Sequence, residues 1–96
     1  MSKPAARIGD MNSGHGCFMP TSLIMGSPTV LINGIPASRL GDQFATHCCP
    51  FNGCHNDAVT MGSTTVLING MPSARVGDDA MGALITTGST NVLIGG

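Results

Sequence analysis

Three histidines and four cysteines are the residues of this chain best equipped for chemistry, and all seven fall between positions 15 and 55. His15 and Cys17 stand together, while His47, Cys48, Cys49, Cys54 and His55 form a second group. Imidazole nitrogens and thiolate sulfurs are the donors that zinc takes tetrahedrally in structural sites. Four cysteines in a short secreted chain could instead mean a disulfide framework. Here Cys48 and Cys49 are adjacent and the thiols sit beside histidines, which fits metal binding better than a dispersed set of staples. A single histidine in a surface loop carries little information; three confined with the cysteines to two segments point to metal.

What positions these segments is an internal repeat. Pro4-Ala5-Ala6-Arg7-Ile8-Gly9-Asp10 recurs as Pro36-Ala37-Ser38-Arg39-Leu40-Gly41-Asp42 and as Pro72-Ser73-Ala74-Arg75-Val76-Gly77-Asp78. A second block runs Gly26-Ser27-Pro28-Thr29-Val30-Leu31-Ile32-Asn33-Gly34. It returns as Gly62 to Gly70 and, ending Val92-Leu93-Ile94-Gly95-Gly96, as Gly88 to Gly96. The units run approximately 4–34, 36–70 and 72–96 within a single domain, 1–96. The connections between blocks differ: twelve residues from Asp10 to Leu23, sixteen from Asp42 to Val59, and six from Asp78 to Ile85. In a threefold body all three emerge at one end, and only the two longer ones carry His or Cys.

The Val-Leu-Ile blocks are short, β-branched and bounded by Gly, Pro and Asn, so they read as strands. Asn33-Gly34 and Asn69-Gly70 suit tight hairpin turns. Alternation sets Val30 and Ile32 on one face and Thr29, Leu31 and Asn33 on the other, with Leu23, Val59 and Ile85 as further core positions. The class is all-β. Arg7, Arg39 and Arg75 are placed to pair with Asp10, Asp42 and Asp78 across a Gly turn, tying each corner; a catalytic pair would require three equal sites.

Composition excludes several functions. Charged residues are 9% of the chain and the net charge is -1, which leaves no electrostatic footprint for nucleic acid. So little charge protects poorly against association, and part of the surface is expected to be covered by a partner. No apolar leader appears in MSKPAARIGD and no run is long enough to span a bilayer. Synthesis in the cytoplasm is expected, with any export by a route other than a cleaved signal.

Both blocks, in triplicate from Pro4 to Gly96, resemble the PAAR-repeat family, named for Pro-Ala-Ala-Arg. Its members are similar to pointed caps on the trimeric β-helical spikes of type VI secretion systems and phage-like contractile injectors. The resemblance implies a small cone of pseudo-threefold symmetry, one copy per trimer of a VgrG or phage-spike type protein, with one structural zinc near the apex. It implies three His and one Cys as ligands. The chain's histidines, His15, His47 and His55, supply the first three. Cys49 is favoured as the thiolate because His47-Cys48-Cys49-Pro50 resembles the family's His-x-Cys-Pro, with Cys17 as the alternative. Iron remains open beside zinc. The base facing the spike is expected to present Leu31, Leu67 and Leu93.

The expected function is a non-enzymatic spike tip that sharpens the spike, contacts the target membrane transiently and is delivered outside the cell or into the target. From Met1-Ser2-Lys3 to Gly95-Gly96 there is no room for a toxin domain, so effector cargo is expected to bind noncovalently. A stand-alone metal-binding adaptor is the alternative. A zinc hydrolase needs an open coordination position and a base, for which Asp57 is the near carboxylate.

Overall fold

The repeated Pro-x-x-Arg segments build a closed ring. The computed structural model describes residues 2–96; Met1, the first residue of the stretch read for a leader and of the 1–96 domain, lies outside them. The Ala6 N–H donates to the Ala74 carbonyl at 2.9 Å, Ser38 to Ala6 at 3.0 Å, and Ala74 to Ser38 at 3.0 Å. Each copy therefore donates to one neighbour and accepts from the other. A second cycle of opposite sense lies two residues on, where Ile8, Leu40 and Val76 donate to Pro36, Pro72 and Pro4. Because all three copies carry small residues here, three backbones approach closely enough to bond around one axis.

Among the described residues ten short strands, with no helix, complete the threefold body: β1 (Lys3–Pro4), β2 (Leu31–Ile32), β3 (Ile35–Pro36), β4 (His47–Cys49), β5 (Gly53–His55), β6 (Leu67–Ile68), β7 (Met71–Pro72), β8 (Asp79–Ala80), β9 (Ala83–Leu84) and β10 (Leu93–Ile94). The Val-Leu-Ile blocks contribute only two residues each to these strands. They turn through Asn33-Gly34 (φ 55° and 77°) and Asn69-Gly70 (φ 52° and 79°), both central residues left-handed as a two-residue hairpin requires. Leu31 pairs with Pro36 and Leu67 with Pro72; in the third unit Leu93 pairs with Pro4, so β10 and β1 close the ring as a hairpin without its turn.

The core has two layers. Ala5, Ala37, Ile32, Ile68 and Ile94 form one; Ala6, Ala74, Leu23, Phe44, Val59, Ala80 and Ile85 form the other. Consecutive Ala5 and Ala6 belong to different layers, so the ring lies between them. Alternation holds as expected, with Ile32, Ile68 and Ile94 buried and Leu31, Leu67 and Leu93 about 60% exposed. The body is elongated, 39 × 26 × 23 Å.

At each corner the Arg backbone N–H donates to Asp Oδ2 at 2.8 Å and the guanidinium Nε donates to the same oxygen at 3.0 Å. The intervening Gly9, Gly41 and Gly77 adopt φ of 94°, 90° and 91°, which is why the motif carries glycine there. For Arg39, the bond to Asp42 and then that carboxylate's charge raise the guanidinium above its ordinary pKa, against the lowering effect of burial. Each Arg also reaches another segment. Arg7 donates to Asn33 Oδ1, which takes Ser89 Oγ as well, and Arg39 and Ser27 share Asn69 Oδ1. In the third unit Gly95 stands where Asn would, and its carbonyl accepts from Arg75 and Ser63 instead.

Candidate metal centre

All three connections leave from these corners and return at Leu23, Val59 and Ile85, whose carbonyls accept from Gly9, Gly41 and Gly77 at 2.8–2.9 Å. They therefore extend from the same layer, each as a β-hairpin. In the first, Asn12 donates to Thr21, and His15 and Phe18 exchange two backbone bonds. In the second, β4 pairs with β5, His47 facing His55 and Cys48 facing Cys54. The third is the short β8–β9 hairpin. His47 and His55 share one face as a cross-strand pair. Asp57, two residues after His55, follows the same alternation.

The three imidazoles converge on Asp57. Nε2 of His15 lies 2.9 Å and Nε2 of His47 3.1 Å from Asp57 Oδ2, and Nε2 of His55 lies 2.8 Å from Oδ1. The ring nitrogens stand 2.9 Å apart for His47–His55 and 3.2 Å apart for His55–His15. A tetrahedral zinc with bonds of about 2.0–2.1 Å sets neighbouring ligand atoms roughly 3.3 Å apart, so these edges are close to a coordination tetrahedron. His47 donates from Nδ1 to the Met19 carbonyl at 2.7 Å, which leaves its Nε2 lone pair directed at the group. The Phe18 ring covers the cluster, its centroid 4.3 Å from His55 and 4.9 Å from His47.

Asp57 is 1% exposed, and its buried Oδ1, although 2.8 Å from His55 Nε2, accepts no well-aligned hydrogen bond. A buried carboxylate with an unsatisfied oxygen is costly unless a charge compensates it. Three imidazoles and a carboxylate turned toward one point are the donor set of a borderline divalent metal, and together with that unsatisfied oxygen they fit one. His15, His47, His55 and Asp57 would hold it. When bound it would tie the first hairpin to the second by charge and coordination.

The fourth position differs from the sequence expectation. Cys49 is not in the ligand group, because its sulfur is bonded to Cys17; Cys48 is bonded to Cys54. Both candidate thiolates are thereby engaged with each other. From the sequence Asp57 is expected only as the base of a hydrolase; its two-residue spacing from His55 is the signal that places it with the imidazoles. Phe18 carried no signal, since its contact with the imidazoles depends on how the two hairpins meet.

The matching family model, PAAR motif, covers the chain in three overlapping segments, residues 1–51, 19–81 and 54–96. The chain belongs to the PAAR-motif family. Its three matches follow the threefold body of the structure, each spanning at least one corner motif. Among curated proteins none matches this chain. In this PAAR protein, then, the repeats form the ring, and the cluster sits on the two long hairpins that the ring projects. The family is structural in kind, which agrees with a site whose ligand atoms close on one another.

Proposed function

We propose that this PAAR protein is the tip of a contractile injection or type VI secretion spike, one copy capping each trimeric β-helical spike of the VgrG type. The observation that carries the reading is the equivalence of Leu31, Leu67 and Leu93. They occupy the same place in three units, each about 60% exposed, on the side of the ring opposite the metal cluster. Three equivalent apolar residues around one axis suit a partner with a threefold end. Ordinary monomers scatter such residues singly.

The opposite end supports a penetrating role. Phe51 sits at the turn between β4 and β5, fully exposed and with a φ of 70°. It would meet the target envelope first, with the crosslinked hairpins and a metal, zinc or iron, stiffening the segment behind it. Delivery on the spike would take the protein out of the cell that makes it. Exposed Ile24, Met25 and Met61 on the flanks offer apolar contact for noncovalent effector cargo.

The test is co-purification with a trimeric spike protein from the same genome. The expected complex holds one copy of this chain per three spike chains. Replacing Leu31, Leu67 and Leu93 together by Asp is expected to abolish it while the isolated chain keeps its β circular dichroism. No complex with the unaltered chain, or an undiminished complex with the triple variant, would defeat the proposal.

A further inference from the structure

The cysteines belong neither to the repeated body nor to the ligand group, and their placement follows that of the histidines. Cys17 lies two residues beyond His15, and Cys49 two residues beyond His47 on β4. Their bond therefore joins the two hairpins next to the residues that meet at Asp57. The second bridge, Cys48–Cys54, is the register pair directly after His47–His55, so its side chains lie on the other face of the same ladder. The third hairpin has no histidine and no cysteine. Bridges and ligands are thus confined to the same two hairpins.

We propose that the four cysteines are a cystine clamp on the two ligand-bearing hairpins, and that Asp57, with every thiol so engaged, is the fourth donor of a His3Asp metal site. Cys17–Cys49 fixes one hairpin against the other, and Cys48–Cys54 fixes the strand pair that carries His47 and His55. The clamp holds the imidazoles near their bound positions before metal arrives, so less ordering is left for binding to oppose. A thiolate would compete with a carboxylate for a soft or borderline metal. Bridging removes that competitor, and the buried Asp57, whose Oδ1 accepts no well-aligned hydrogen bond, takes the place.

Each bridge forms by thiol–disulfide exchange. One cysteine thiolate attacks a small-molecule disulfide and releases one thiol. The second cysteine then displaces the mixed disulfide and releases the other, so the protein pair is oxidised by two electrons and the small disulfide is reduced to two thiols. The inference rests on the metal reading of the cluster and not on the spike reading.

The experiment uses the full chain after incubation with oxidised glutathione. Alkylation under denaturing conditions is expected to label no thiol before reduction and four after it, read by mass; four labelled thiols before reduction would overturn the clamp. The oxidised chain is then titrated with Co2+. Tetrahedral ligand-field bands without a thiolate-to-cobalt charge-transfer band are expected, and a strong charge-transfer band would overturn the role of Asp57. Absence of any cobalt uptake would overturn the metal site itself, leaving the thiol count to judge the clamp. Asp57→Asn is expected to weaken cobalt binding by at least about tenfold; if that variant does not fold, the spectrum of the unaltered chain decides. Cys17→Ser with Cys49→Ser is expected to keep the ligand-field spectrum and release cobalt about tenfold faster. An unchanged release rate would overturn the clamp's part in holding the site.

Discussion

The ring and the hairpin end of this molecule are built on opposite plans. In the ring the backbone cycle and the corners exist three times. Ala6, Ser38 and Ala74 bond in a cycle, three Arg–Asp corners share one geometry, and a missing Asn in the third unit is replaced by a backbone carbonyl in the same place. At the hairpin end the ligands do not repeat: one connection brings His15, another brings His47, His55 and Asp57, and the third brings none. The body can spread a loss over equivalent contacts, whereas the metal cluster has no spare donor. Stability is expected to respond to substitution accordingly.

The largest effect belongs to the cluster. His47→Ala or His55→Ala is expected to lose stoichiometric metal, measured by elemental analysis, and to lower the melting temperature of the metal-loaded protein. Structural zinc contributes roughly 10–16 kcal/mol in apparent terms in zinc-finger peptides. Full metal retention by both variants would remove the distinction between the two ends.

Next come the corners, where burial ranks three otherwise equal pairs. The Arg75–Asp78 side chains are 4% and 1% exposed, and the Arg7–Asp10 side chains are 17% and 9% exposed. Asp78→Ala leaves a buried guanidinium without its partner and is expected to cost about 3–5 kcal/mol. Asp10→Ala is expected to cost less, both read by urea denaturation. Equal losses would mean that the corners contribute through turn geometry alone.

The smallest effect is a gain. Ala5, Ala37 and Ser73 occupy one repeated position, all fully buried, but the Ser73 hydroxyl has no hydrogen-bond partner. Ser73→Ala is expected to stabilise by about 1 kcal/mol, bringing the third copy into line with the other two.

The same contrast explains what could be read from the residues alone. Repetition exposed the ring, because a motif present three times signals equivalent positions and so identifies the corners, the Asn-Gly hairpins and the buried Leu23, Val59 and Ile85. The short strands were harder, since Val30 packs against the core without joining the β2 ladder. For the metal, clustering found the three histidines. The fourth donor was not legible, because whether Cys49 meets a metal or Cys17 depends on how two unequal hairpins lean together, and no repeat records that. The closing of β10 on β1 is likewise a property of the cycle and not of either segment.

Hydrogen exchange of metal-loaded and chelated protein, followed residue by residue, tests the division into two ends most directly. On chelation, amides of the first two hairpins, such as Asn12 and Phe44, are expected to lose protection, while those of Ala6, Ser38 and Ala74 keep it. Equal loss of protection in the ring and the hairpins, or no change in either, would contradict the account.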